Sequence, residues 1–173
     1  MTDPNMVEYA RRIDEVTYKE LRELSYMGAK VLHDEAIFPV RAMGIPINIR
    51  NTNIPDNPGT MIVPERVSTH PVCGIAGSKG FTMINIEKAL MNRERGFGRK
   101  VLQILDEHGV SFEHMPSGID TISVIIRDDE LANHGPSVLK SIERICQPDR
   151  VVLSPGLALI ATVGQGMAQR IGV

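Results

Sequence analysis

Only two cysteines occur in the sequence, Cys73 and Cys146, far apart, outside any CxxC spacing and with no histidine beside them. That spacing argues against a thiolate metal site, and in a reducing compartment both read most simply as small buried apolar residues. Charge of one sign is also missing. Nineteen Lys and Arg stand against 21 Asp and Glu, a formal net charge of -2 with the basic residues scattered along the chain. Nucleic acid, which requires a basic stripe or patch, is therefore set aside as a partner. Long hydrophobic runs are lacking too. The longest, "ISVII" and "LALIATV", fall far short of the roughly 20 residues that a membrane helix needs. The opening "MTDPNMVEYARR" has no hydrophobic signal core. A cytoplasmic protein without a membrane partner is the expectation.

What is present fits a soluble globular chain. Hydrophobic residues are 42% and charged residues 23% of the 173, close to the globular average. This length holds one ordinary domain or two small ones. In "TYKELRELSYMGAKV", Leu21, Leu24, Met27 and Val31 recur at helical spacing between charged residues, and Gly28 supplies an end. A second helical stretch is expected over residues 35–43, before Gly44. "IPINIRNT" alternates as a strand does, "IPDNPGT" is rich in turn residues, and "MIVP" reads as another strand. Between Pro64 and Pro71 lies the best linker candidate.

Beyond it, "CGIAGSKGFTMINIEKAL" reads as β-rich sequence around a Ser78-Lys79-Gly80 turn. "GFGRKVLQILDEHG" sets Phe97, Val101, Leu105 and His108 on one helical face, stopped by Gly109. "VSFEHM" and "DTISVII" read as short strands joined by "PSGI". "DDELANHGPSVLKSIERIC" reads as a helix either kinked at Pro136 or properly starting there. "DRVVLS" and "PGLALIATVG" close the pattern as strands. From Phe81 onward the order is strand, helix, strand, strand, helix, strand, the βαββαβ layout of a ferredoxin-like domain. The chain then stops at Val173 after an apolar strand whose own sheet partners are missing. An unpaired apolar edge is unusual, so truncation or donation of the strand to a partner is expected.

Four segments, ordered along nearly the whole chain, resemble the C-terminal part of the aspartate kinase family: "TDPNMV" at 2–7, "GAKVLH" at 28–33, "IPINIRNT" with "NPGT" over 45–60, and "ALIATVGQGM" at 158–167. The resemblance implies a mixed α+β and α/β fold. Residues 1–66 would be the C-terminal segment of an amino-acid kinase domain, 70–154 a ferredoxin-like ACT module, and 155–173 the incomplete start of a second ACT unit. The family's glycine-rich "KFGGTS" type segment, its aspartate site and most of its ATP site would lie upstream of Met1. The implied reaction converts ATP and L-aspartate to 4-phospho-L-aspartate and ADP, with magnesium in the full enzyme.

By positional match, Lys30 reaches the nucleotide phosphates, a role suited to a flexible ammonium. Asn5 stands where many members carry arginine; asparagine can donate a hydrogen bond but cannot make the bidentate charged pair. His33 is left without a role, and Asp34 reads as a helix cap as readily as a chemical group. In the ACT region Met91, Glu94, Phe97 and Gly98 would line one side of an effector pocket for lysine or threonine, and Ser111, Phe112, Glu113 and Ser117 the other. Helix amides near residues 96–98 suit the effector's carboxylate and Glu113 suits an ammonium. Phe97 and Phe112 read equally as core residues, and Glu113 as a solvated strand residue. Many lysine-sensing members have a small polar residue at the position of Glu94. Three functions follow: a fragment of a kinase, inactive alone and carrying its feedback region; a stand-alone amino-acid-binding regulatory subunit; or a scaffold whose ACT units form a homo-oligomer.

Overall fold

The structure is a computed structural model that describes residues 11–29, 32, 37–67, 70–167 and 171. The described residues form a mixed α+β arrangement with two three-stranded sheets. The chain divides into two compact units, residues 1–78 with 159–173, and residues 79–158.

In the first unit a short strand, β1 (Glu15–Thr17), runs directly into helix α1 (Tyr18–Tyr26). Helix α2 (Phe38–Ala42), β2 (Ile47–Ile49) and β3 (Thr60–Val63) follow. β3 is central, parallel to β1 and antiparallel to β2. Strand β1 lies outside the sequence expectation, since three residues are too few for alternation to register. Its neighbour explains it: Val16 pairs with Ile62, and both are wholly buried with Leu21 and Tyr18.

Thr17 ends the strand and begins the helix. Its hydroxyl accepts from the Glu20 amide, while the Glu20 carboxylate accepts from the Thr17 amide at 2.9 Å, a reciprocal capping box. Glu20 is almost fully buried, and its charge is matched by Arg66, whose Nε and Nη2 meet the two carboxylate oxygens at 2.9 and 2.7 Å. The best linker candidate of the sequence is therefore pinned to α1 through Arg66. At the other end of α1, Gly28 has φ 109°, and a Cβ there would sit 2.9 Å from the Gly77 carbonyl oxygen. Both conformation and space demand glycine at the head of "GAKVLH". Gly59 in "NPGT" is equally restricted, with φ 75° and the Ile49 carbonyl 2.1 Å from where a Cβ would lie.

The second unit is built on β4 (Gly74–Glu87), α3 (Phe97–Glu107), β5 (Thr121–Arg127), α4 (Asp128–Ala132), α5 (Gly135–Cys146) and β6 (Arg150–Val163). The boundary between the two compact units falls inside β4 and β6. The Ser78-Lys79-Gly80 turn read from sequence does not form: β4 passes through it unbroken, with Gly80 at φ 92° inside the strand. Strand β6 likewise absorbs Pro155 and Gly156, read as a break between two strands. Proline has no amide to donate, and β6 sits at the end of the order β5-β4-β6, where one side of the strand needs no such donor.

Residues 113–118 add hydrogen bonds along the free side of β5, and His114 and Ser117 bridge to Ile125 and Ile122. The alternating residues Ile84, Ile86, Ile122, Val124 and Ile126 form one apolar face. Phe97, Val101, Ile104 and Leu105 of α3 and Val138, Ile142 and Cys146 of α5 cover it. Each such aliphatic side chain contributes roughly 1.5–3 kcal/mol by leaving water. The sequence left open a kinked helix or a start at Pro136, and the second holds: α4 ends at Ala132 and α5 begins at Gly135 with Pro136 in its first turn.

Burial alone would raise the Glu20 pKa, but hydrogen bonds from Arg66 and Thr17 more than offset it, so its carboxyl is held below the ordinary value. A carboxyl depressed in the folded state stabilises fully above its unfolded pKa and loses that contribution as pH falls through the folded value. Arg66→Ala is expected to destabilise the chain by about 3–5 kcal/mol at pH 7, because it leaves a buried charge unpaired. In denaturant titrations the stability gap between wild type and Glu20→Gln should shrink as pH falls below 4.5. A gap constant from pH 7 to pH 3 would exclude an ionised pair.

Candidate functional site

Strand β4 ends at Glu87, opposite Thr121, the first residue of β5. The chain then makes a single 3-10 turn, Met91–Arg93, and enters α3 after Gly96. Hydrogen bonds from the Lys88 and Asn92 amides to the Asp120 and Ile119 carbonyls, at 2.9 and 3.2 Å, seat this turn beside the segment leading into β5. No side chain caps α3. The first-turn amides of a helix have no partner within it, so this end is a donor-rich, partly positive place.

Of the residues singled out in the sequence, Met91 and Phe97 belong to the apolar core. Glu94 sits between two ammonium groups, with Lys88 and Lys100 Nζ each 2.6 Å from one of its oxygens. Lys88 also donates to the Cys146 carbonyl at 2.7 Å and lies 5.4 Å from the Phe97 ring centroid. Gly98 faces Ile122, whose Cδ1 would be 4.0 Å from a Cβ at that position. Ser117 bridges to the same Ile122, so it and the start of α3 lie toward the same end of the sheet.

Ser111, Phe112 and Glu113 lie further along. The Glu113 amide donates to the Ile125 carbonyl at 2.8 Å and the Ile125 amide to the His114 carbonyl at 2.9 Å. Two residues thus oppose one, the pattern of a β-bulge. The Glu113 carboxylate accepts from Arg127 Nε at 2.8 Å. The Ser111 amide donates to Glu130 at 3.3 Å, and Phe112 is exposed. Ile122 and Ile125 are three strand residues apart, so Glu113 stands about 10 Å along the sheet from Gly98 and Ser117. Sequence reasoning missed Lys88, Lys100 and Arg127, whose partners are identified only by the turn and the strand pairing.

Asn5, Lys30, His33 and Asp34 lie outside the described residues. Among the described residues no group of three or more His, Cys, Asp or Glu is placed to hold a metal ion, and no helix is long and apolar enough to cross a membrane. Cys146 is a core residue, whereas Cys73 is half-buried; burial pushes both thiols up from their ordinary value.

Residues 1–51 match the amino acid kinase family. More narrowly, the chain is an aspartokinase homologue along nearly its whole length. It is 49% identical to aspartokinase 3 of Bacillus subtilis over 98% of the chain and 38% of that protein. The aspartate kinase structure of Clostridium acetobutylicum superposes with a TM-score of 0.92 at 53% identity, covering 99% of this chain and 40% of that one. Two structures of Escherichia coli aspartokinase III, one with aspartate and ADP in the R-state and one with lysine and aspartate in the T-state, each give a TM-score of 0.78. Identities are 26% and 27%, over 99% of this chain and 39% and 38% of theirs. The chain therefore spans about two fifths of the length of these relatives.

Hydrogen bonds from Lys100 and then Lys88 hold the Glu94 carboxyl below the ordinary glutamate value. A carbon-detected NMR titration should find its midpoint lowered, with Lys100→Met raising it more than Lys88→Met. An ordinary midpoint in the wild type would mean that the lysines do not hold it in solution.

Proposed function

We propose that this chain is a part of an aspartate kinase, comprising the end of the catalytic domain (1–66), an ACT sensor (70–154) and the start of a second ACT unit (155–173), and that the sensor binds lysine. The carrying observation is the uncapped start of α3 beside Ser117, with Glu113 about 10 Å further along the same edge. The strand order of the 113–118 segment, β5, β4 and β6, with α3 and α5 on one face, supports a ferredoxin-like ACT arrangement.

The effector's carboxylate takes the Gly98 and Arg99 amides, with Met91, Glu94 and Phe97 forming the wall beneath and Ser117 the near rim. Its side chain lies along residues 111–117, past Phe112 and Ser111, and its terminal ammonium reaches Glu113. Both oxygens of Glu94 already hold a lysine of the chain, and Glu113, further along the edge, is the acceptor proposed for an incoming cation. Lysine has the length to span the two ends, whereas threonine is too short. The lysine-bound relative supports the same effector class.

In the whole protein the reaction is the transfer of the ATP γ-phosphoryl group to L-aspartate, giving 4-phospho-L-aspartate and ADP with magnesium. Lys30 then neutralises phosphate charge and Asn5 makes at most a neutral contact. Effector binding controls the enzyme by favouring one of two arrangements of a homo-oligomer joined through its ACT modules.

The chain alone is expected to release no ADP from ATP and aspartate above a blank. Lysine at a hundred times its dissociation constant stabilises by about 2.7 kcal/mol, which raises the unfolding temperature by roughly 5–10 °C; threonine should do less. Scanning calorimetry that finds no shift at saturating lysine would remove the sensing role, and ADP release abolished by Lys30→Ala would show a working catalytic site.

A further inference from the structure

Glu113 has a side chain only 11% exposed, and a carboxylate so placed needs a cation beside it. Arg127 supplies one through Nε at 2.8 Å. That arginine differs from its partner in two ways. Its side chain is 39% exposed, so its guanidinium has an open route to water. Its Cζ also lies 5.1 Å from the ring centroid of Phe81, the residue directly opposite it on β4. An aromatic face attracts a guanidinium, so Arg127 has a place to stay when Glu113 is taken from it. Glu113 has no such freedom: its amide is fixed to Ile125 at the bulge, and the carboxylate remains near the same spot.

We propose that Arg127 is a built-in competitor for the effector, a cation that holds Glu113 in the unliganded sensor and is exchanged for the side-chain ammonium of the bound amino acid. The idea rests on the sensing reading above and adds the residue that sets its threshold. Exchange of one cation for another keeps the buried carboxylate paired throughout, so ligand entry never passes through an uncompensated charge. It also sets specificity. A ligand of the right length without a terminal cation cannot displace the guanidinium, and its apolar end would meet a filled site. The apparent affinity for lysine is lowered by the strength of the internal pair, which tunes the sensor toward a higher effector concentration.

Calorimetric titration of the 173-residue chain tests this. Arg127→Gln and Arg127→Met, the second keeping an alkyl stem over Phe81, should each bind L-lysine about tenfold tighter than wild type, the effect of removing one charge-assisted competitor. Arg127→Lys should stay near wild type. Adding Glu113→Gln to either tightened variant should abolish the gain. L-norleucine, which has the four side-chain carbons of lysine but no terminal ammonium, should gain nothing from any change at Arg127. Unliganded Arg127→Gln should unfold at a lower temperature than wild type while showing a larger rise with lysine. Wild-type or weaker affinity in both Arg127→Gln and Arg127→Met overturns the exchange and leaves the sensing reading standing. Equal tightening toward norleucine also overturns it, since that is general loosening of the site. Absence of heat from wild type and all variants overturns the sensing reading and the exchange together.

Discussion

The ion pair between Glu20 and Arg66 is the constraint on which the first unit depends. One carboxylate caps α1 through the Thr17 amide, accepts from the Thr17 hydroxyl and takes two of the three nitrogens of a guanidinium 46 residues away. Thr17 is also the last residue of β1, so the same group fixes where strand becomes helix. Gln165 donates to the Thr17 hydroxyl at 3.3 Å, bringing the "ATVGQGM" segment to that point as well. A buried charge is costly unless every lone pair is used, and here four hydrogen bonds come from two residues, Thr17 and Arg66. A shift of α1, of Arg66 or of the β1 register would strand the carboxylate, which makes the arrangement close to all-or-none.

How much of this could be read beforehand depends on the range of the cause. The helices α1, α3 and α5 are legible because each carries its own apolar stripe with its own stop, and α5 carries proline where a helix begins. The capping box is local too, three residues from Thr17 to Glu20, yet it shows only as a pattern until Arg66 explains why a glutamate is buried there. Strand β1 and the Arg66 partner are set by pairing across the chain, and no window of neighbouring residues contains them. Glycine misled the reading in two places for one reason. Ser78-Lys79-Gly80 and Pro155-Gly156 have the composition of turns, but pairing with a neighbouring strand carries β4 and β6 straight through, with positive φ absorbed at Gly80 and Gly156.

The residues of the proposed effector site divide the same way. Met91 and Phe97 recur at a spacing that marks a helix entry, and they are indeed where apolar residues at that spacing usually lie, in the core. The electrostatics around them was illegible. Lys88 and Lys100 are each six residues from Glu94, a separation that an α-helix does not bring together, and it is the turn at Met91–Arg93 that closes them on one carboxylate. Glu113 and Arg127 are 14 residues apart, and a bulge lets them meet.

The placement of Glu113 on a bulged edge has a thermodynamic consequence for any ligand it receives. The 113–118 segment is joined to β5 through isolated bridges rather than a continuous ladder, so it opens more readily than the central strands. A ligand that lies along this edge and spans Ser117 and Glu113 orders both ends of a segment that was only partly fixed. The free energy of that ordering is subtracted from the affinity, and on the sensing reading proposed above it is also what distinguishes the two states. A rigid pocket would bind the same amino acid more tightly but would change little on doing so. On the proposed reading, a loosely held edge restrained by an exchangeable cation gives up affinity in return for a difference between empty and filled that the rest of the protein can respond to.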